Sequence, residues 1–183
     1  MRRDELDRLR LFLPVLPTIA LGALPGPPEW SSTLARIGLD VVGSGAAVDD
    51  PDTVAAAVSG APHLPVKARR GDAATLAAAG ARLLEGTPTE VAGAYRLGAD
   101  DLTVRVVSGE TPAVEDLDTA SRALVAAARA GVPSRLWAVA GPGLDTLDPD
   151  VVEAKLTVLV DATREARLAI AKVQFEDDDF WRR

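Results

Sequence analysis

The residues best suited to chemistry in this chain are charges set inside apolar, strand-like runs. In "LPVKAR" (64–69), Lys67 and Arg69 alternate with Val66 and Ala68, so both cations share one face of an extended segment. In "LTVRVVS" (102–108), Thr103, Arg105 and Val107 share one face, while Leu102, Val104 and Val106 share the other. Glu85 ends the run "ARLLEG", Glu110 follows the run that holds Arg105, and Trp137 lies in "RLWAVAG" (135–141). Cations converging at strand ends make an anion site, where charge-assisted hydrogen bonds fix a carboxylate or phosphate. The expected ligand-binding set is therefore Lys67, Arg69, Arg105, Glu110 and Trp137, with Glu85 as candidate general base. The competing reading is that the cations pair with Glu85, Glu110 or Asp40 and fill the interior with satisfied ions.

Other chemistries have little support. The chain has no cysteine, which removes thiolate catalysis and disulfides and makes a cytoplasmic location the expectation. Its one histidine, His63, sits among prolines and reads as a surface loop residue at the bottom of the fold. Metal and cofactor are both expected to be none, since a catalytic zinc needs about three protein ligands. Asp100-Asp101 and the run Asp177-Asp178-Asp179 read as solvated carboxylates. No spacing supports a Ser-His-Asp arrangement. Gly43-Ser44-Gly45 is the nearest approach to a phosphate loop, but the next helix begins only near Pro51 and no P-loop lysine is present.

A net charge of -7 and 4% aromatic content argue against nucleic acid as a partner. No apolar run is long enough for a membrane span, and no basic amphipathic stretch suits a membrane surface. The opening "MRRDELDRLRLFLPVLP" is too interrupted by acids and prolines for a secretory signal.

The elements that must position the charges are punctuated clearly. Asp50-Pro51, Thr87-Pro88, Thr111-Pro112 and Asp148-Pro149 read as helix caps followed by proline at the first helical position, and Asp72 as a further cap. Gly38, Gly60, Gly80, Gly98 and Gly131 read as helix ends. Short β-rich runs at 18–24, 39–44, 64–69, 81–86, 102–108 and 135–141 then alternate with helices. About six strand–helix units imply an α/β fold with a mostly parallel sheet. The charged strand faces favour a reduced TIM-like (β/α) barrel over an open nucleotide-binding sheet. The last helix, from Pro149 to about Val173, carries the stripe Val152, Leu156, Leu159, Thr163, Ala166, Ile170 and Val173, with Lys155 assigned to its polar side. A single domain over 1–174 is expected. Residues 175–183 form an acidic and aromatic tail whose Phe175, Phe180 and Trp181 could dock on the barrel or join a homo-oligomer.

"LPTIALGALP" (16–25) resembles the first strand of the C-terminal catalytic barrel of cobalamin-independent methionine synthases. "GLDVVGSGA", "LPVKARRG" and "LWAVAGPGLDTLDPDVVEAKLTVLVDA" are similar to later strands and the final helix of that family. The resemblance implies a (β/α) barrel with its site at the strand C-terminal ends. It also implies a zinc-binding cysteine just before Gly143-Leu144 and a serine at position 23; this chain has Pro142 and Ala23 there. Zinc-dependent thiol methylation is therefore not expected. Six units in 183 residues also fall short of the eight usual in such a barrel. Two functions follow as expectations. The first is a small barrel that binds or transforms an anionic metabolite; the second is a non-catalytic interaction or regulatory protein that forms a homo-oligomer.

Overall fold

The structure is a computed structural model that describes residues 3–26, 30–86, 92–97, 101–131 and 133–176. Its helices are α1 (Arg3–Arg8), α2 (Trp30–Ile37), α3 (Pro51–Gly60), α4 (Ala73–Ala78), α5 (Leu117–Ala130) and α6 (Pro149–Glu176). Its strands are β1 (Thr18–Ala20), β2 (Val42–Gly43), β3 (Val66–Arg69), β4 (Leu83–Glu85), β5 (Tyr95–Leu97), β6 (Leu102–Val107) and β7 (Leu136–Ala140). No helix among the described residues is long and apolar enough to cross a membrane.

The capping chemistry sets most helix starts. Asp50 accepts from the Thr53 amide at 2.8 Å while Thr53 Oγ1 accepts from the Asp50 amide at 2.9 Å, a reciprocal cap ahead of Pro51. Asp72 caps α4 through the Thr75 amide, and α6 begins at Pro149 as its Asp-Pro pair predicts. One expected start does not hold. At Thr111-Pro112 the chain continues without helix, and α5 instead begins after Asp116, which accepts from the Thr119 amide at 2.9 Å. The helix expected to end at Gly98 is replaced, over 95–97, by β5. Thr87–Glu90 and Gly98 themselves lie outside the described residues. Tyr95 is held in the sheet by pairing with Leu83 of β4, a tertiary contact that overrides local propensity.

All strand pairs are parallel. β2, β3, β4 and β5 form one ladder in that order, and β1, β7 and β6 form another. A bridge from Ile19 to Val41, with the Val41 amide donating to the Thr18 carbonyl at 3.2 Å, links β1 to β2. The strands therefore follow the order β6-β7-β1-β2-β3-β4-β5, without the reversal of a doubly wound sheet. Chain length explains where this order stops. Only residues 98–101 separate β5 from β6, far fewer than the dozen or so that a parallel return needs. Among the described residues β5 and β6 share no ladder, so closure of the sheet into a barrel is not seen there. Among the described residues, five strands (β1, β2, β3, β6 and β7) are followed by a helix, and the segments after β4 and β5 lie largely outside the described residues.

Alternating residues feed two apolar layers. Val42, Val66, Ala68, Leu84, Ala138 and Ala140 pack beneath the helices, against Leu34, Leu76, Leu124 and the α6 stripe. Their neighbours Val41, Leu83, Trp137 and Val139 face the other way, joining Ile19 and Tyr95. Leu6, Leu11 and Leu13, from α1 and the segment after it, complete this second layer. Arg167 fastens α6 to the strand N-termini. Its guanidinium donates to the carbonyls of Val15 and Leu16, both at 2.8 Å, and pairs with Asp40 at 2.6 Å.

Candidate functional site

The described structure brings Lys67, Arg69 and Glu85 together at the C-terminal ends of β3 and β4. Parallel register sets Arg69 opposite Glu85 and Lys67 opposite Leu83, so Lys67 reaches Glu85 along the diagonal. Lys67 Nζ donates to Glu85 Oε2 at 2.7 Å and to the Ala20 carbonyl of β1 at 2.8 Å. Glu85 Oε1 accepts from the Gly22 amide at 3.2 Å and lies 3.2 Å from Arg69 Nε. That last contact is an ion pair without hydrogen-bond alignment, since Arg69 Nε has no acceptor.

The loop after β2 closes over this cluster. Asp49 Oδ2 accepts from the Arg69 amide at 2.7 Å, and the Asp49 amide donates to the Arg69 carbonyl at 3.0 Å. Ser44 Oγ donates to the other Asp49 oxygen, and the Ala46 amide donates to Ser44 Oγ at 3.0 Å. Ser44 and Asp49 are both buried. The Gly43-Ser44-Gly45 turn is thus tied to its own loop instead of to a helix N-terminus. What remains beside Lys67, Arg69 and Asp49 is a void of about 10 Å³, roughly one water.

The electrostatics of the cluster are close to self-contained. Two cations, Lys67 and Arg69, stand with two carboxylates, Glu85 and Asp49. Burial pushes the Lys67 ammonium below its ordinary range, and the Glu85 charge opposes that shift. Burial pushes the Glu85 carboxyl up, but Lys67 and Arg69 more than offset it, leaving the carboxyl below its ordinary value.

The other expected site residues do not join this group. Arg105 is 57% exposed, and its 3.7 Å pair with the still more exposed Glu110 is loose. In the sheet order β6 lies four strands from β3, which separates Arg105 from Lys67. A register shift between Arg105 and Val107 also breaks the expected alternation, so Val106 and Val107 are both buried in the helix-side layer. Trp137 is fully buried in the second apolar layer, its Nε1 3.3 Å from an Asp101 oxygen that also accepts from Tyr95 Oη at 2.6 Å. His63 is exposed before β3, as its proline-rich setting suggests. Phe180, Trp181 and the acidic run lie outside the described residues, and Phe175 falls in the last turn of α6. Among the described residues, no group of three or more His, Asp or Glu side chains could hold a metal ion.

Two buried charges escape the sequence reading: Asp49, described above, and a lysine outside the sheet. Lys155 of α6 is completely buried, with Nζ 3.0 Å from both Glu115 oxygens and donating to the Ala113 carbonyl. Glu115 also accepts from the Ser108 amide at 2.9 Å, so this lysine anchors the 108–116 loop to α6. The signal was present in the spacing. Lys155 stands three residues after Val152 and four before Leu159, on the buried stripe and not on the polar side to which its charge assigns it.

No protein-family model matches the chain, and no curated protein matches it either. Among solved structures, the chain is similar to a B12-independent methionine synthase from Shewanella sp. W3-18-1 in complex with selenomethionine. The identity is 12% and the TM-score 0.38, over 74% of this chain and 50% of that one. The relation to that fold is distant, and this chain spans about half the length of that structure.

Proposed function

We propose that this chain is a non-catalytic interaction or regulatory protein, built on a reduced (β/α) barrel whose strand C-terminal mouth is filled by its own ions. One observation carries the reading: two of the three N–H donors of Lys67 are spent on Glu85 and the Ala20 carbonyl, beside a void of only about 10 Å³. An anionic metabolite entering there would have to displace Glu85 and leave that carboxylate buried without its partners. The barrel ancestry rests on the strand order and on the first-strand and final-helix motifs. Pro142 and Ala23, where that family's cysteine and serine would stand, fit the loss of its zinc chemistry.

A second reading retains a small anionic ligand at the exposed Arg105, away from the Lys67 cluster. Thermal unfolding in the presence of carboxylates and phosphates separates the two. The interaction reading expects the midpoint to stay within the change caused by ionic strength alone. A saturable rise that Arg105→Ala abolishes would replace it with the ligand-binding one.

A further inference from the structure

A second concave surface lies at the opposite end of the strands. There the segment before β1 and the loop before β3 enclose a groove of about 570 Å³. Its volume is that of a ligand or peptide site, whereas the mouth near Lys67 holds about one water. Phe12 lines it while 80% exposed, an aromatic side chain left in water at the groove wall. Leu64 adds apolar surface, and Arg10 and Arg82 add positive charge. Arg10 is exposed and forms no ion pair with the described residues. Arg82 donates from Nη2 to the Leu9 carbonyl, and its buried Nε has no acceptor. The carboxylate of the lining, Asp40, is already neutralised by Arg167. The groove is therefore apolar and basic, and it suits an acidic segment that carries aromatics.

The chain delivers such a segment to this end. Arg167 of α6 touches Asp40 on the groove wall, and the helix continues to Glu176, about 14 Å further at the α-helical rise. Residues 177–183 read Asp-Asp-Asp-Phe-Trp-Arg-Arg and span about 24 Å when extended, enough to return to the groove. We propose that residues 177–183 occupy this groove in their own chain, with Phe180 and Trp181 against Phe12 and Leu64 and the three carboxylates facing Arg10 and Arg82. This inference does not depend on the state of the Lys67 mouth.

The absence of cysteine makes the test clean. Ser59→Cys, exposed beside the groove residue Val58, and Arg183→Cys are introduced together in the full chain and labelled with nitroxides. Pulsed dipolar spectroscopy is expected to give a narrow distance distribution that persists on dilution with unlabelled chain. Arg10→Glu with Phe12→Ser is expected to broaden it to that of a free segment. Phe180→Ser with Trp181→Ser is expected to do the same from the tail side, where the folded body is untouched. A control pair, Ser59→Cys with Arg129→Cys on α5, reports that each variant keeps its fold. A broad distribution in the parent chain, or a narrow one indifferent to both variants, overturns the proposal. A narrow one that vanishes on dilution assigns the groove to the tail of a second copy, and likewise overturns it.

Discussion

Lys67 Nζ lies 2.7 Å from Glu85 Oε2, on the diagonal between two adjacent parallel strands, while Arg69 stands directly opposite the same glutamate. One carboxylate therefore serves two cations, and the two ends of the pair are not equivalent. Replacing Glu85 with Gln leaves Lys67 and Arg69 facing each other without an anion between them, a loss in the range of about 3–5 kcal/mol for breaking a buried pair. Lys67→Met leaves Glu85 with Arg69 and the Gly22 amide, so its cost is smaller. Urea unfolding of both variants checks the asymmetry. Equal losses would mean that Arg69 does not share the charge.

The same carboxylate contributes to acid sensitivity. Burial alone would raise its pKa, but Lys67 and Arg69 hold it below the ordinary 4.5. A group whose folded pKa is depressed stabilises the fold above its unfolded value and loses that contribution as pH falls through the folded one. The capping carboxylates Asp50, Asp72 and Asp116, lowered by their threonine partners, act with the same sign. Stability measured by urea is expected to fall as the solution is acidified below about pH 4.5, with a shallower slope in Glu85→Gln. An unchanged slope in that variant would remove Glu85 from the account.

Lys155 and Glu115 offer a similar test outside the sheet. Glu115→Gln leaves a fully buried ammonium with the Ala113 carbonyl and a neutral amide, and is expected to cost about 3–5 kcal/mol. Lys155→Met removes the charge and fills the space with apolar atoms, so it is expected to cost less. In both, amide hydrogen exchange should quicken at Ser108, whose N–H is bound to Glu115. Protection at Ser108 that survives both changes would show that the loop is held by something else.

Gly109 sets the close approach of two loops at the strand ends. A Cβ there would fall 2.5 Å from the Gly143 carbonyl carbon and 2.6 Å from the Leu144 amide nitrogen, and those neighbours are backbone. Gly109→Ala must therefore displace the 142–144 turn and is expected to destabilise by about 4 kcal/mol or more, among the larger single-site effects. Gly93→Ala, with nothing within 4 Å, meets no such contact and is expected to cost much less, leaving only its positive φ as a penalty. Thermal unfolding midpoints of the two variants compare crowding with backbone strain alone.

Much of the architecture is readable from local chemistry, because local rules produce it. Asp50-Pro51, Asp72 and Asp148-Pro149 start helices through contacts within a few residues, and the 3.6-residue stripe of α6 is buried from Val152 to Ile170 as its spacing predicts. The shared face of Lys67 and Arg69 follows from the twofold alternation of a strand. What depends on distant partners is not readable in this way. Tyr95–Leu97 becomes a strand because β4 is beside it, and Lys155 is buried because Glu115 from another loop receives its charge. Arg105 shares its strand pattern with Lys67, yet it stays in solvent, and among the described residues β6 pairs only with β7. The sequence by itself determined which residues sit on which face of most elements, the bulged end of β6 and Lys155 excepted. The tertiary structure alone decided which faces meet, since pairing across tens of residues depends on chain reach and on whether each buried charge finds its counter-ion.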